Sequence, residues 1–168
     1  MSSRIVLVVL VLVVAGCGRE HRRADTAPAG LVGEISYSNG SVAPPYHFRW
    51  RVEFDARGAR LEWTPGYGDT ETWTETADLG ADERSALRQR LRETGLFEFT
   101  GEDDGLVGGP TGRARFASDG YDSGTLGTSE AGSRMLDAVV AVTRTAFPDA
   151  VWTAMERRQD QWGDRQPR

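Results

Sequence analysis

Residues 46–54, YHFRWRVEF, contain the clearest periodic pattern in the chain. From Phe48 to Phe54 every second residue is apolar, and every residue between them is charged. This alternation is typical of a strand in an antiparallel sheet, with one face buried and the other in water. The stretch therefore predicts a half-buried strand.

A turn and a second alternating segment follow directly. Residues 55–58, Asp-Ala-Arg-Gly, have the composition of a hairpin turn that ends in glycine. Residues 59–63 then alternate apolar side chains with Arg60 and Glu62, so charges can pair across the outer face of a β-hairpin. Two further segments with weaker alternation are Leu31–Ser38 and Thr70–Ala77.

The period becomes helical in the second half of the chain. Gly80 and Gly95 are placed as the N-cap and C′ residues of a first amphipathic helix. An apolar stripe over Ser129–Phe147 predicts a second helix that Pro148 ends, and Pro148 can begin a further short helix. A second hairpin, around Asp119-Gly120, is predicted from the strand-like segments Arg113–Ala117 and Tyr121–Leu126.

The order of these elements predicts the fold class. Strands, helix, strands and helix in succession favour a single α+β domain, with an antiparallel sheet packed on one face by two or three helices. We place this domain at residues 31–155. Residues 17–30 have the small, polar composition of a flexible tether, and residues 156–168 form a polar C-terminal tail that we expect to be frayed.

The counts of reactive residues exclude several classes of function. The chain has 168 residues with one Cys and two His, and all 20 of its basic residues are Arg. Without Lys there is no P-loop lysine and no Schiff base. One Cys and two His cannot build an internal disulfide, a Cys-rich zinc site or a three-His zinc site. We predict no cofactor, no metal and no catalytic residue.

The N-terminus has the features of an export signal. Met1–Arg4 carries one positive charge, and Ile5–Ala15 is an unbroken run of 11 apolar residues. A membrane-spanning helix needs roughly 20 residues, whereas a secretory signal needs about 7 to 15 followed by small residues. The run ends in Val14-Ala15-Gly16-Cys17, which resembles the lipobox of bacterial lipoprotein signal peptides.

The resemblance implies a lipid anchor. In that family the Cys thiol receives a diacylglycerol, a peptidase cuts before it, and the new N-terminus can be acylated, for example with palmitate. By resemblance, residues 1–16 are the signal peptide, the Gly16-Cys17 bond is the cleavage site and Cys17 is the lipid attachment site. The expected location is the extracytoplasmic side of the cell membrane. Gly18 is not the Asp that marks inner-membrane retention in Gram-negative sorting, which leaves the outer membrane open as an address in a host that has one.

The charge distribution bears on possible partners. The whole chain has a net charge of −5, but residues 31–155 carry 12 Arg and 20 acidic residues. An acidic body argues against nucleic acid as a partner, because that affinity depends on neutralising phosphates. The predicted partners are the membrane, through the lipid anchor, and an envelope protein or a cell-wall ligand.

Residues 39–47, NGSVAPPYH, form the most distinctive segment of the body. Together with residues 63–67, WTPGY, it resembles a pattern in uncharacterised bacterial lipoproteins that have no assigned activity. Tyr46, His47 and Tyr67 are the candidate binding surface. We therefore predict a non-enzymatic envelope binding or interaction module. The alternatives are a cell-wall glycan or peptide binding protein and an envelope hydrolase centred on His47.

Other candidate residues have simpler explanations. Glu102-Asp103-Asp104 could bind Ca²⁺ but matches no EF-hand spacing, so a solvated acidic loop is expected. Asp119 and Asp122 are explained by turn preference. Ser129 lacks the second glycine of a nucleophile elbow. Trp73 could stack on a ligand or pack against the sheet.

Overall fold

The structure of the protein is a computed structural model that describes residues 30–68, 71–100, 105 and 107–166. The described elements, in chain order, are β1 (Gly33–Ser38), β2 (Phe48–Phe54), β3 (Gly58–Pro65), β4 (Trp73–Asp78), α1 (Ala81–Glu93), β5 (Thr111–Phe116), β6 (Tyr121–Asp122), α2 (Glu130–Arg144) and α3 (Asp149–Asp164). A short 3₁₀ turn at Pro44–Tyr46 precedes β2.

The six strands form one antiparallel sheet in the order β4-β3-β2-β1-β5-β6. Sequential strands pair through short connections, and β5 crosses back to lie beside β1. Together with the three helices, this sheet confirms the prediction of a single α+β domain.

The alternation in β2 gives the sheet two different faces. Trp50, Val52 and Phe54 point into the core. Side chains of the opposite parity form the outer face, where Arg51 pairs with Glu62 of β3 at 2.6 Å. The predicted turn is present, since the Asp55 carboxylate accepts hydrogen bonds from the backbone N–H groups of Arg57 and Gly58, which lower its pKa.

The helices cover the apolar face and complete the core. The α1 helix begins at the predicted Gly80 N-cap, whose N–H donates to the Glu83 carboxylate at 2.7 Å. Gly95 follows it with a φ of 82°, in the left-handed region where glycine is unstrained. Ser129 caps α2, as its hydroxyl accepts from the Gly132 N–H at 2.9 Å. The apolar stripes of these helices therefore meet the sheet as the periodicity predicts.

The structure differs from the prediction at two places. The strand predicted at Tyr121–Leu126 stops at Asp122, because Gly124 turns the chain with a φ of 65°; only Leu126 returns, as a single bridge to Gly112. The prediction of a frayed tail from Glu156 was wrong, since α3 continues to Asp164. Its polar residue Gln159 is only 5% exposed, so the folded body extends beyond the predicted boundary at residue 155.

Candidate functional site

The predicted lipid attachment site Cys17 and the Gly16-Cys17 cleavage site lie outside the described residues, as does the acidic loop Glu102-Asp103-Asp104. The candidate binding residues Tyr46, His47 and Tyr67 are all described. We call these three residues the aromatic surface.

The loop between β1 and β2 is held by its own polar groups. The Asn39 side chain donates to the Tyr46 carbonyl at 2.8 Å and accepts from the Phe48 N–H at 3.0 Å. Gly40 adopts a φ of 90°, and a Cβ there would lie 2.5 Å from the Gly109 carbonyl oxygen. The Ser41 N–H donates to the carbonyl of Gly108 at 3.0 Å. The loop is thus fixed at both ends and against the glycine-rich segment that precedes β5.

His47 is enclosed at the end of this loop, with 5% of its surface exposed. Its Nδ1 lies 2.9 Å from the Gly40 carbonyl oxygen, which can only accept, so we assign a proton to Nδ1. Nε2 has no hydrogen bond within the described residues. Among the described residues, the side-chain nitrogens that are both buried and without a hydrogen-bond partner are Nε of Arg84 and Nε of Arg88. Nε2 of His47 also lacks a partner but is not buried in this way, so it contacts solvent.

Tyr67 stacks flat on His47. The ring centroids are 3.8 Å apart and the planes differ by 2°. The Tyr67 hydroxyl donates to the Val42 carbonyl at 2.7 Å, and the Gly66 N–H donates to the His47 carbonyl at 2.7 Å. The residue is still 52% exposed. One face of the phenol ring is therefore covered by His47 and the rest remains open to a ligand.

Tyr46 is the most exposed member of the aromatic surface, at 72%. Its backbone is fixed by Asn39, whereas its side chain projects from the 3₁₀ turn. Val42, which is 37% exposed, adds apolar area beside the Tyr67 hydroxyl. The structure thus brings His47 and Tyr67 into contact and leaves Tyr46 adjacent to them in the chain.

The C-terminal helix supports the aromatic surface from behind. The side chain of Gln159 on α3 donates to the carbonyl oxygens of Pro45 and His47 at 3.2 and 3.1 Å, and accepts from Trp63 Nε1 at 3.1 Å. The same helix places the Trp162 ring against Gly66. Sequence reasoning missed Gln159, because a single polar residue in a polar segment carries no periodic signal of its own.

The aromatic surface lies at one end of the sheet. It follows the C-terminal end of β1 through the loop that begins at Asn39. The chain enters the fold at the other end of β1, where Gly33 pairs with Phe54 and Phe116. The entry point and the aromatic surface are therefore separated by the whole length of β1, about 17 Å for a six-residue strand.

Two open cavities lie on the outer face of the sheet. One, of about 800 Å³, is near the chain entry and includes Val32, Glu53 and Arg57 in its lining. The other, of about 610 Å³, lies nearer the aromatic surface, and its lining is rich in hydroxyl groups. We call this second cavity the polar groove. The alternating pattern identified its outward-facing residues, but it could not show that they enclose a volume.

No contact supports a nucleophilic centre at His47. Within the described part of the chain, neither a carboxylate nor a Ser or Thr hydroxyl forms a hydrogen bond with its ring, which is bonded to the Gly40 carbonyl and stacked on the Tyr67 ring. Ser129 is buried at the N-terminus of α2, where its hydroxyl serves as a helix cap. The hydrolase alternative therefore has no structural observation in its favour.

The other acidic candidates, Asp119 and Asp122, form ion pairs with arginine side chains. Asp119 forms an ion pair with Arg88 of α1. Asp122 accepts from Arg113 Nε at 2.7 Å and from the Gly124 N–H at 3.0 Å, and these bonds lower its pKa to about 2. Among residues 30–68, 71–100, 105 and 107–166, no group of three or more His, Cys, Asp or Glu side chains could hold a metal ion.

Trp73, the remaining aromatic candidate, is not part of the aromatic surface. It is half-buried at the start of β4, packs against the core and lies opposite Trp63. Its indole N–H donates to the Glu71 carboxylate at 2.9 Å. Trp73 therefore packs against the sheet.

Comparisons with protein-family models, curated proteins and solved structures found no match to this chain. None of the helices among the described residues has the length and apolar character needed to cross a membrane.

Proposed function

We propose that the protein is a lipid-anchored extracytoplasmic bacterial lipoprotein that acts as a non-enzymatic binding module of the cell envelope. The proposal has two parts, which rest on different residues. The anchor rests on the lipobox-like sequence that ends in Cys17. The binding function rests on Tyr67, which is stacked on the buried His47 ring and is still half exposed to solvent.

The anchor follows from the chemistry of the N-terminus. Cys17 is the only thiol in the chain and stands directly after the apolar run, with small residues before it. Each buried acyl CH₂ contributes about 0.8 kcal/mol, so two or three chains hold a protein on a bilayer where one is marginal. The polar residues 18–30 then act as the tether to the folded body.

The binding function follows from preorganisation. Aromatic rings supply large contact areas, and rings already fixed in place lose little entropy when a ligand binds. The hydroxyl of Tyr67 is bonded to Val42 and its ring is stacked on His47, so its orientation is set before any ligand arrives. A monomeric fold gains no core packing from the exposed part of Tyr67 or Tyr46, which makes contact with a partner the better explanation.

The position of the surface fits a tethered module. The tether enters beside Gly33, whereas the aromatic surface lies beyond the opposite end of β1. The 14 residues from Cys17 to Gly30 can span at most about 50 Å when extended. A body held in this way can present Tyr46 and Tyr67 toward the cell wall while its entry end faces the membrane.

The anchor is tested by metabolic labelling with an alkyne fatty acid in bacteria that express the full chain. We expect label on the wild-type protein and none on the Cys17→Ser variant, which should also accumulate as the longer, uncleaved precursor. Label retained on Cys17→Ser would contradict the lipid anchor.

The binding function is tested with the full-length protein, purified in mild detergent and sedimented with insoluble peptidoglycan. We expect retention of the wild type and a loss of about fivefold in the Tyr67→Ala variant, because stacking on an exposed ring contributes about 1 kcal/mol. Val32→Ala is the matched control, since Val32 is a similarly exposed apolar residue at the entry end of β1. Equal retention of all three proteins, or none of the wild type, would overturn the proposed role of the aromatic surface.

A further inference from the structure

One long edge of the sheet is not covered by another strand of the described residues. On that side β4 is the last strand, with six residues in continuous register with β3, whereas β6 on the other side has only two residues. Proline and β-bulges commonly protect such an edge from pairing, and β4 contains neither. The edge of β4 is therefore open to a further strand.

The hydrogen bonds of β3 show which backbone groups of β4 point outward. The Asp55 N–H donates to the Gly58 carbonyl, so the even-numbered residues of β3 bond to β2. The Leu79 N–H donates to the Arg57 carbonyl, so the odd-numbered residues of β3 and β4 bond to each other. The even-numbered residues of β4 consequently direct their N–H and C=O groups away from the sheet, without partners among the described residues. They are Thr74, Thr76 and Asp78.

The edge of β4 is complementary to itself in one antiparallel register. When Thr76 of one copy lies opposite Thr76 of a second copy, Thr74 lies opposite Asp78 at either end. The residues with outward backbone groups are then the ones that face each other, and each opposed pair exchanges two backbone hydrogen bonds. The Thr74 hydroxyl can also donate to the Asp78 carboxylate.

The helix-facing side chains of β4 fit the same register. Trp73 lies opposite Leu79, and both are partly buried apolar residues that pack against the core. Glu75, which forms an ion pair with Arg158 of α3 at 3.8 Å, lies opposite the methyl group of Ala77. No carboxylate of β4 faces another. A slide of two residues would place Glu75 opposite Glu75, and like charges directly opposite each other destabilise a strand pair.

We propose that β4 is a dimerisation edge, at which two copies of this chain pair antiparallel with Thr76 on the two-fold axis. This inference is separate from the proposed function and uses none of the residues of the aromatic surface. Because the strands of the two copies run in opposite directions, the two aromatic surfaces lie at opposite ends of the joined sheet. A tether of up to about 50 Å exceeds the length of β1, about 17 Å, so both anchors can reach one bilayer.

A disulfide at the two-fold axis tests the register. Opposed residues of a hydrogen-bonded pair have Cα atoms about 5.5 Å apart, which suits a disulfide. On oxidation of the full-length Thr76→Cys variant in mild detergent, we expect most of the protein to shift to twice the monomer mass on a non-reducing gel. Thr74→Cys is the matched control, because its two cysteines would lie about 13 Å apart along the strands. It should give no more dimer than the wild type, which reports the background from Cys17.

A proline in β4 separates pairing from folding. The Thr76 N–H points away from β3, so Thr76→Pro removes a donor from the interface between copies and none from the β3–β4 ladder. In sedimentation experiments at equal concentration, we expect the wild type and Thr76→Val to be dimers and Thr76→Pro to be a monomer. Far-UV circular dichroism checks that Thr76→Pro is folded.

Charge substitutions test the same register without a proline. Thr74→Asp would place a carboxylate opposite Asp78 at both ends of the interface and should raise the dimer dissociation constant roughly fivefold. Thr74→Arg would place a guanidinium there and should lower the constant by a similar factor. These two variants decide the question if Thr76→Pro does not fold.

The results that would overturn the inference are specific. A wild type that is monomeric at its highest soluble concentration would show that a second copy does not close this edge. Equal cross-linking of Thr76→Cys and Thr74→Cys, a folded Thr76→Pro that remains a dimer, or equal dissociation constants for Thr74→Asp and Thr74→Arg would exclude this pairing. The retention of the protein on peptidoglycan is a separate measurement, so failure of the dimer leaves the proposed function standing.

Discussion

The ring centroids of His47 and Tyr67 lie 3.8 Å apart with the planes parallel, although His47 precedes β2 and Tyr67 follows β3; beside the stack, the Gly66 N–H donates to the His47 carbonyl. The stack turns two loop residues into one rigid unit. His47 is buried by it, and Tyr67 is oriented by it. Its contribution to stability can be measured separately from any contribution to binding.

Removal of the Tyr67 hydroxyl should have a small effect on stability. Tyr67→Phe keeps the ring on His47 but loses the hydrogen bond to the Val42 carbonyl, so we expect a decrease of about 0.5 to 1.5 kcal/mol in the free energy of unfolding. Urea denaturation measures it. Tyr46→Phe is the control and should unfold like the wild type, because the Tyr46 side chain is 72% exposed. A larger loss of stability in Tyr46→Phe than in Tyr67→Phe would contradict the assignment of the stabilising hydrogen bond to the Tyr67 hydroxyl.

Asn39 should be the more important residue of the loop. Asn39→Ala removes two hydrogen bonds, one to the Tyr46 carbonyl and one from the Phe48 N–H, and we expect a loss of about 1 to 3 kcal/mol. Amide hydrogen exchange should also accelerate at Phe48, whose N–H loses its acceptor. Ser41→Ala, in the same loop but exposed, should change neither quantity. Unchanged hydrogen exchange at Phe48 in Asn39→Ala would show that the Asn39 side chain does not hold the Phe48 N–H.

Gln159→Leu should be strongly destabilising although the change is from polar to apolar. It would leave the indole N–H of Trp63 and the carbonyl oxygens of Pro45 and His47 without this partner, at a cost of about 1 to 3 kcal/mol for each buried group that finds no other. Urea denaturation should show a decrease of at least about 2 kcal/mol. Arg157→Ala, an exposed substitution on the same helix, should be neutral. Equal stability of the two variants would mean that α3 does not support the loop.

The ion pair of Asp122 with Arg113 predicts that the stability of the protein decreases as the pH becomes acidic. Its pKa is lowered to about 2 in the folded state, against about 3.9 in an unfolded chain. A lowered folded pKa contributes stability above the unfolded value, and that contribution is lost as the pH falls from about 4 toward 2. Asp122→Asn should therefore be less stable than the wild type at pH 7, with the difference shrinking below pH 4. Urea denaturation across this range measures it.

Asp160→Asn provides the comparison for that experiment. Asp160 is an exposed residue of α3, and its substitution should have little effect at either end of the pH range. A difference between wild type and Asp122→Asn that stays constant down to pH 2.5 would indicate that the Arg113 pair does not depend on the charge of Asp122.

The parts of the fold that were predictable depend on local patterns. The alternation from Phe48 to Phe54 identified β2 and its two faces, the Gly80 cap marked the start of α1, and the apolar stripe over Ser129–Phe147 identified α2. Each of these signals reports the environment of neighbouring residues along one element. They required no knowledge of what packs against that element.

The parts that were missed depend on contacts between distant residues. Gln159 looks like a tail residue, yet it continues the buried stripe of Trp152 and Met155 because Trp63 and the loop carbonyls supply its hydrogen-bond partners. The stack of His47 on Tyr67 likewise joins residues from two separate connections. Residue type predicts burial poorly for a polar side chain that is buried because its hydrogen-bond partners lie inside the protein.

The bonds of Gln159 to the carbonyl oxygens of Pro45 and His47 also impose an order on how the molecule is completed. The Gln159 amide and the His47 carbonyl to which it donates are 112 residues apart. The β2–β3 hairpin can therefore form early in synthesis, whereas the loop before β2 gains this hydrogen bond only after α3 has been synthesised. Removal of α3 would therefore take away the hydrogen bonds to the backbone on both sides of Tyr46 without any cleavage near the aromatic surface.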